Sequence, residues 1–236
     1  MREDNSIKVA LVGNTNVGKS VFFGRLTDTY TDVSNYPGTT VEVSRGETEI
    51  DGRQVELIDT PGVNSLIPVS EDERITRDLL FFEKPDLVIQ VADAKNVQRS
   101  LMLTVQLAEA GFPTVIALNM ADEAEGKGID IDESKLSELL GTPAVKTVAP
   151  TGQGFDKLEE ALFSARVPDL NIEYPEPIRS ALEDVSSLLS DLDVPARASG
   201  LMVLSGDEQF LERIEGELTE QEMDELSPPE VGGVVR

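Results

Sequence analysis

The feature that most constrains the fold is a glycine-rich loop near the amino terminus, which reads GNTNVGKS from Gly13 to Ser20. An apolar run precedes the loop at residues 7–12, and apolar residues at helical spacing follow it. A strand, such a loop and a helix in this order form a phosphate-binding site, because backbone N–H groups and the helix N-terminus surround the anion. The pattern predicts that Lys19 contacts the β- and γ-phosphates of a nucleotide and that the Ser20 hydroxyl binds Mg²⁺.

The composition indicates a soluble, globular chain that is large enough to bury a core. Hydrophobic residues make up 39% of the 236 residues, and no apolar run approaches the ~20 residues that a membrane span needs. The first residues contain no apolar stretch, so we expect no signal peptide. Cysteine and histidine are absent, which leaves only oxygen ligands for a metal and favours Mg²⁺ over Fe²⁺.

The chain is strongly acidic, with 45 Asp and Glu residues against 20 Lys and Arg residues and a formal net charge of −25. A surface of this sign repels the phosphates of nucleic acids and the headgroups of anionic lipids. We therefore expect neither a nucleic-acid partner nor direct binding to lipid.

Strand-like and helix-like segments alternate along the first part of the chain, which predicts a doubly wound, mostly parallel α/β sheet. Asp51 and Gly52 separate two strand-like runs and predict one antiparallel hairpin within it. Ser70 is expected to cap a helix, and the polar residues 30–40 are expected to form a loop. The predicted strands are 8–13, 41–50, 54–59, 86–92, 113–118 and 144–148, and helices are predicted after the glycine-rich loop, from residue 70, and at 97–110, 134–140 and 155–165.

The composition changes near Val167, where the alternation of strands and helices ends. Apolar residues mark one face of a helix over residues 178–192, and two shorter helical pieces follow it. We therefore predict a first domain over residues 1–167, a small all-α domain over residues 168–226 and a disordered tail over residues 227–236. The all-α domain either packs against the first domain or has a regulatory or coupling role.

The sequence DTPG at residues 59–62 directly follows a predicted strand. Asp59 would then lie at a strand end beside the phosphate loop, where it can hold Mg²⁺ through water. Gly62 can offer its backbone N–H to a γ-phosphate, because no side chain blocks the approach. Thr60 and Pro61 complete this turn, which we expect to contact the nucleotide.

A second polar tetrapeptide, NMAD at residues 119–122, also follows a predicted strand. The carboxylate of Asp122 can accept two hydrogen bonds from guanine N1–H and the 2-amino group, a donor pair that adenine lacks. Asn119 and Met120 belong to the same base-binding turn. The loop at residues 148–152 is expected to supply a backbone N–H near the guanine O6 atom, so the ligand is predicted to be GTP or GDP.

These elements resemble the GTP-binding domains of the Ras-like superfamily over residues 7 to about 166. The segments NYPGTTVE at 35–42 and DTPGVNSL at 59–66 are similar to the N-terminal domain of FeoB ferrous-iron transporters. Ser70-Glu71 and Arg77-Asp78 extend this similarity, and the stretch ARASGLMVLSGD that ends at Asp207 resembles the small helical domain of that family.

The resemblance implies a P-loop GTPase domain on the cytoplasmic face of the cell membrane, covalently joined to or associated with a membrane permease. The nucleotide state would help to gate Fe²⁺ uptake, and the helical domain would favour GDP binding in the manner of a GDP-dissociation inhibitor. Association through the G domain is a further candidate interaction. Since the sequence ends before any permease, we expect either a truncated piece of a longer protein or a free-standing one.

The resemblance also implies specific roles for site residues. Lys19, Thr40, Gly62 and Asn16 would act in hydrolysis, with Mg²⁺ held at Ser20, Thr40 and Asp59 and with K⁺ held at Asn16. Thr40, rather than Thr39, would be the switch threonine, because it directly precedes Val41-Glu42. The full set expected to bind nucleotide is Gly13, Asn14, Thr15, Asn16, Val17, Gly18, Lys19, Ser20, Val21, Gly38, Thr39, Thr40, Asp59, Thr60, Pro61, Gly62, Asn119, Met120, Asp122, Val148, Ala149 and Pro150.

Val63 follows Gly62 at the position where Ras-type proteins carry a water-orienting glutamine. An aliphatic side chain cannot orient water, so we expect slow hydrolysis without a side-chain general base, with K⁺ stabilising charge where other GTPases use an arginine finger. The sequence departs from the family pattern at four places, and these departures bear on nucleotide affinity and switch dynamics. The family often has proline where this chain has Thr15, tryptophan at Tyr36, tyrosine at Asn64 and Ser-Ala at Ala149-Pro150.

Two alternatives stay open at this stage. One is a nucleotide-sensing module in which occupancy regulates a partner and hydrolysis is incidental. The other is a cation-dependent GTPase that acts in ribosome or tRNA maturation. The second alternative would need a basic appendage, whereas residues 207–226 hold nine acidic residues and one Arg.

Overall fold

The computed structural model describes residues 6–27 and 29–219 together with Met223 and Leu226. The chain divides between Asn171 and Ile172 into two compact units. The first unit is built from strands and helices, and the second from helices. Within the described residues, no helix has the length and apolar character needed to cross a membrane.

In the described part of the first unit, seven strands form one sheet: β1 (Ile7–Gly13), β2 (Thr29–Asn35), β3 (Glu42–Ile50), β4 (Arg53–Asp59), β5 (Leu87–Asp93), β6 (Thr114–Asn119) and β7 (Ala144–Lys146). Their order across the sheet is β2-β3-β4-β1-β5-β6-β7. The strands from β4 to β7 in this order are parallel, whereas β2, β3 and β4 form an antiparallel meander. The predicted fold class is therefore confirmed.

Helices connect the parallel strands, and most lie where the sequence predicts them. Ser70 caps α2 as predicted, because its hydroxyl accepts the backbone N–H of Glu73. A π-helical turn at Leu79–Glu83 and the short helix α4 were not predicted. The helices of this unit are α1 (Lys19–Leu26), α2 (Glu71–Asp78), α3 (Val97–Glu109), α4 (Ala121–Gly126), α5 (Glu133–Leu140) and α6 (Phe155–Leu162).

The loop predicted over residues 30–40 is wrong in its first half, because β2 occupies Thr29–Asn35. β2 pairs antiparallel with β3, with Ser34 opposite Val43 and Asn35 opposite Glu42. The side chains of residues 32–35 are exposed, so this strand has no apolar pattern that could reveal it. Backbone hydrogen bonds to a neighbouring strand form it instead.

Helix α1 is held against the sheet by its apolar side. Phe22, Phe23 and Leu26 are buried in the main core cluster together with residues of β1, β4 and β5. The ring centre of Phe22 lies 4.5 Å from that of Phe155 in α6. This packing gives α1 a fixed position, which matters because the helix begins at the phosphate loop.

The second unit contains α7 (Glu176–Leu188), α8 (Ala196–Leu204) and α9 (Glu208–Ile214) in its described part. Its interior includes Leu182, Leu189, Met202 and Phe210, each no more than 3% exposed. The helical character predicted for this part of the chain agrees with these elements. The disordered tail predicted over residues 227–236 lies outside the described residues.

Two glycines, one in the hairpin between β3 and β4 and one in α1, offer a matched test of backbone conformation. Gly52 has a φ of 71°, so Gly52→Ala should lower the free energy of unfolding by about 1 kcal/mol, because L-residues are strained there. Gly24 lies inside α1 with open space around its Cβ position. Gly24→Ala should therefore raise the free energy of unfolding by about 0.5–1 kcal/mol, because alanine favours the helix more than glycine does. Urea unfolding of both variants measures the two changes, and shifts of the same sign would contradict this account.

Candidate nucleotide-binding site

The predicted site residues lie at one edge of the sheet, where parallel strands end. In the ladder of β1 and β4, Leu11 is opposite Asp59, and in that of β5 and β6, Asp93 is opposite Asn119. The loops after β1, β4, β5 and β6 therefore leave the sheet side by side. In doubly wound sheets this edge is where ligands bind.

The loop after β1 encloses a cavity of about 360 Å³. Two glycines allow its tight course: a Cβ on Gly13 would stand 2.4 Å from the carbonyl oxygen of Val91, and Gly18 has a φ of 85°. Asn16 also has a positive φ, 64°, a conformation that asparagine tolerates better than most residues. The cavity is lined by Asn14, Thr15, Asn16, Gly18, Lys19, Ser20, Val21 and Gly62.

Lys19 is buried at the base of this cavity and paired with an acidic group. Its Nζ atom lies 2.8 Å from Oδ1 of Asp59 and also donates to the carbonyl oxygen of Thr60. The Ser20 hydroxyl donates to the other carboxylate oxygen of Asp59 at 3.4 Å. The structure thus places a cation, a hydroxyl and a carboxylate together, in agreement with the predicted grouping of these three residues.

The loop after β4 is bound to the phosphate loop through backbone and side-chain contacts. The N–H of Val63 donates to the carbonyl oxygen of Gly13 at 3.0 Å, and the Asn14 amide donates to the carbonyl oxygen of Val63 at 3.2 Å. A Cβ on Gly62 would lie only 3.1 Å from Cα of Thr15. A side chain at residue 62 would therefore crowd the phosphate loop.

Two polar residues of this loop region make contacts that the sequence analysis does not predict. The buried carboxylate of Glu73 accepts the backbone N–H of Asn64 at 3.3 Å and that of Val69 at 3.0 Å. It therefore binds both ends of the segment 64–69. The side-chain oxygen of Asn64 accepts hydrogen bonds from Asn14 and, at 2.7 Å, from Arg99 of α3. The sequence around Glu73 predicts only a helix that begins near Ser70, so nothing in it indicates a contact with the preceding loop.

Asn119 connects the phosphate loop to the loop after β7. Its buried amide nitrogen donates to the carbonyl oxygen of Val17 at 2.9 Å, and its amide oxygen accepts the N–H of Ala149 at 3.0 Å. Met120 has a φ of 61° and directly precedes α4, whose first turn carries the exposed Asp122. The buried Asn119 carboxamide thus joins the predicted base-binding turn to the loop at residues 148–152.

Lys95 is a further cation near this turn that the sequence analysis missed. Its Nζ atom lies 3.1 Å from the sulfur of Met120 and 2.7 Å from Oε2 of Glu123. The hydrogen bond between Lys95 and Glu123 raises the pKa of the lysine and lowers the pKa of the glutamate. The pair therefore keeps opposite charges beside the turn through the neutral pH range.

The structure does not bring the predicted switch residues Gly38, Thr39 and Thr40 to the cavity, which other residues line. The Thr39 hydroxyl donates to the carbonyl oxygen of Tyr36 at 2.9 Å, and Thr40 is exposed. The N–H of Tyr36 donates to the carbonyl oxygen of Val41 at 2.8 Å. These residues close the turn between β2 and β3.

A doubly wound sheet with a phosphate loop, an aspartate at the end of β4 and an NxxD turn that begins at the end of β6 defines a domain of the P-loop GTPase class. The family described as ferrous iron transport protein B matches residues 7–162. The chain therefore belongs to the FeoB family.

Similar proteins agree with this assignment. The chain is 40% identical over 216 residues to an Fe(2+) transport protein A/Fe(2+) transporter FeoB fusion protein of Porphyromonas gingivalis, covering 86% of this chain and 26% of that protein. It thus spans about a quarter of that relative's length. The cytosolic domain of the T. maritima FeoB iron transporter in a GDP form matches with a TM-score of 0.79 and 36% identity, covering 94% of this chain and 91% of that one.

The same T. maritima domain in a GMPPNP form matches with a TM-score of 0.79 and 37% identity, covering 93% of this chain and 91% of that chain. The two structures are named for a guanine nucleoside diphosphate and for an analogue of the triphosphate. The domain class and the family are therefore established from both sequence and structure.

The contacts of Glu73 give a local prediction. Glu73→Ala should make the amide protons of Asn64 and Val69 exchange about tenfold faster or more, because each loses a charged acceptor. Amide hydrogen exchange measured on the unliganded chain tests this. Asp72→Ala, which changes an exposed carboxylate in the same helical turn, is the control, and unchanged exchange in Glu73→Ala would refute the role given to Glu73.

Proposed function

We propose that this chain binds GTP and GDP, hydrolyses GTP slowly, and acts as a nucleotide-dependent switch for a FeoB-type Fe²⁺ permease. The observation that supports the binding step most strongly is the position of Asn119. Its carboxamide joins the phosphate loop at Val17 to the base loop at Ala149. One ligand with a polyphosphate and a base can therefore contact both loops.

The charges in the cavity suit a polyphosphate. Lys19 would exchange its contacts with Asp59 and Thr60 for the β- and γ-phosphate oxygens, and the backbone N–H groups of residues 14–19 would surround the β-phosphate. Gly62, where a Cβ would lie 3.1 Å from Cα of Thr15, would present its N–H to the γ-phosphate without a side chain in the way. Asp122, exposed at the start of α4, would accept hydrogen bonds from guanine.

Two cations fit the residues present. The Ser20 hydroxyl and the Asp59 carboxylate lie 3.4 Å apart, and both are the hard oxygen ligands that Mg²⁺ prefers. Asn16 lines the cavity with an amide oxygen available as a K⁺ ligand. When bound, these ions would offset phosphate charge that develops during hydrolysis. Thr40 would join the Mg²⁺ site after its turn moves toward the cavity.

The residue after Gly62 supports slow hydrolysis. Val63 is 1% exposed and its N–H is bound to Gly13, so neither its side chain nor its amide is placed to orient water. The protein would therefore hold the nucleotide, exclude bulk water and present backbone donors, without a side-chain general base. Lys19 would stabilise the negative charge of the phosphates directly, and Asn16 and Thr40 would do so through the cations that they bind.

The partner and place of action follow from the family. We propose that residues 1–167 form the G domain, that residues 168–226 form a helical domain that favours GDP binding, and that the permease adjoins them at the cytoplasmic face of the membrane. Fe²⁺ would be the cargo of the permease, and the domain would signal through nucleotide state. G domains of neighbouring transporters could also associate.

Of the two alternatives, the nucleotide-sensing module retains support from the buried Val63. It would predict single-turnover hydrolysis far slower than GDP release, whereas a cycling switch needs hydrolysis at least comparable to release. A role in ribosome or tRNA maturation is not favoured, because the chain belongs to the FeoB family.

Base specificity should follow Asp122. Asp122→Asn should weaken GDP binding about a hundredfold or more, because guanine N1–H and the 2-amino group lose the carboxylate that accepts two charge-assisted hydrogen bonds from them. The variant should gain affinity for xanthosine diphosphate, whose 2-oxo group can accept from the new amide. Titration of both nucleotides measures this change in base preference. Glu125→Gln, at an exposed position of α4, is the control. GDP binding that is insensitive to Asp122→Asn would oppose the guanine assignment.

The K⁺ site can be tested through turnover. GTP hydrolysis should be about tenfold faster or more in K⁺ than in Na⁺, because the cation stabilises developing charge. Asn16→Gly should remove this difference, and glycine is chosen because the φ of 64° at this position strains alanine. GDP affinity measured in parallel separates loss of the cation from loss of the nucleotide site. Equal rates of the wild-type chain in both salts would overturn the K⁺ proposal.

A further inference from the structure

The segment 64–69 begins two residues after Gly62 and contains neither a helix nor a strand. Several of its backbone N–H groups donate to side chains instead. Glu73 accepts those at the two ends of the segment, and Gln106 of α3 accepts that of Leu66 at 2.8 Å. Because a buried N–H needs an acceptor, these side chains replace the ladder that holds a strand. The path of the segment is therefore set by residues of α2 and α3.

Gln106 binds this segment with both ends of its carboxamide. Its oxygen accepts the N–H of Leu66, and its nitrogen donates to the hydroxyl of Ser65 at 2.9 Å. The Ser65 hydroxyl in turn accepts the N–H of Ile67 at 3.0 Å. Leu66 is 1% exposed, so its side chain is buried where Gln106 holds its backbone. The two residues are 40 positions apart in the sequence, so the contact belongs to the tertiary structure and not to a local turn.

Gly62 carries the backbone donor of this region that a ligand can use. Gly62 lines the cavity, and its N–H has no acceptor among the described residues. Its neighbours differ from it, because the N–H of Val63 is bound to the carbonyl oxygen of Gly13 and residue 61 is a proline without an N–H. The donor proposed for the γ-phosphate is therefore available, and its alignment depends on how the chain is held around it.

The chain is held on either side of Gly62. On the amino-terminal side, the N–H and the hydroxyl of Thr60 both donate to the carbonyl oxygen of Leu11 in β1. On the carboxyl-terminal side, the hydrogen bond of Val63 lies between Gly62 and the segment 64–69, so it keeps its geometry only while the segment is fixed. The first side is thus held by the sheet, whereas the second depends on the side chains that bind the segment.

We infer that Gln106 is a positioning residue for the backbone donor of Gly62, an inference that rests on the proposed binding of GTP and GDP. By binding Ser65 and Leu66, it fixes the course of the chain on the carboxyl-terminal side of that donor. Without Gln106 the segment would relax, and the Gly62 N–H would lose its alignment with the γ-phosphate. GDP has no γ-phosphate, so the loss falls on the triphosphate alone.

The test compares GDP with GMPPNP, in the presence of Mg²⁺, on the full 236-residue chain. Gln106→Met keeps the length of the side chain but removes its amide. This variant should bind GMPPNP about fivefold more weakly than the wild-type chain does, because a hydrogen bond to a charged group is weakened. Its affinity for GDP should be unchanged, whereas a general loss of stability would weaken the binding of both nucleotides.

Three variants complete the experiment. Gln106→Glu retains an oxygen that can accept the N–H of Leu66, so its preference between GMPPNP and GDP should match that of the wild-type chain. Ser65→Ala removes only the partner of the amide nitrogen and should weaken GMPPNP binding about twofold, which keeps the inference testable if Gln106→Met does not fold. Gln98→Met makes the same substitution at an exposed position of α3. It is the control and should match the wild-type chain.

Amide hydrogen exchange on the unliganded chain measures the contact itself. The N–H of Leu66 should exchange about tenfold faster or more in Gln106→Met, and at the wild-type rate in Gln98→Met. Faster exchange without a change in the relative affinity for GMPPNP would show that Gln106 stabilises the segment without positioning Gly62. That result would overturn the inference.

The outcomes separate the inference from the function on which it rests. If the wild-type chain binds neither GDP nor GMPPNP, the proposed function is wrong. If it binds both, and Gln106→Met weakens both equally or neither, the inference about Gln106 is wrong while the proposed function stands. The inference is also wrong if Gln106→Glu loses as much affinity for GMPPNP as Gln106→Met does.

Discussion

The candidate site depends on the hydrogen bonds of the buried Asn119 carboxamide. Its nitrogen donates to Val17 in the phosphate loop, and its oxygen accepts from Ala149 in the base loop and from the Thr147 hydroxyl at 3.4 Å. Because a buried amide needs partners at both its nitrogen and its oxygen, this side chain couples the two loops. Gly18 is part of the same constraint, because a Cβ there would stand 2.8 Å from the amide nitrogen of Asn119.

The acidity of the chain and the anionic ligand proposed for it are compatible because they act over different distances. The net charge of −25 sets the long-range field, which salt screens beyond about 10 Å. Within the cavity, the nearest groups are the loop N–H donors, the helix N-terminus and the amine of Lys19. Short-range donors of this kind bind phosphate in a small, specific ligand, whereas the surrounding charge disfavours extended polyanions.

The parts of the fold and site that the sequence predicted are those encoded by short patterns. The phosphate loop, the Asp51-Gly52 hairpin and the NMAD turn each depend on residues that are adjacent in sequence and carry distinctive backbone or hydrogen-bonding requirements. Because buried strands are continuous apolar runs, β1, β5 and β6 could be located as well. The resemblance to a known family then identified the domain that these pieces form as a P-loop GTPase domain.

The parts of the fold and site that the sequence did not predict depend on contacts between distant residues or on the backbone alone. β2 exists because β3 offers it hydrogen bonds, and its exposed side chains give no pattern. Arg25 and Asn64 are ordinary polar residues in sequence, and only the fold places them against Ala149 and Arg99. Glu73 lies in the first turn of a helix, and only the fold places its carboxylate against the preceding loop.

The position of β2 at the edge of the sheet has a mechanical consequence for the turn that carries Thr40. β2 has β3 as its one neighbour in the sheet, and the turn is closed by the hydrogen bond from Tyr36 to Val41. β2 can therefore separate from β3 at this tip without breaking the ladder between β3 and β4. Moving Thr40 also has a packing cost, because its neighbours Tyr36 and Val41 lie against the buried cluster formed by Val43, Ile58, Ile75 and Leu79.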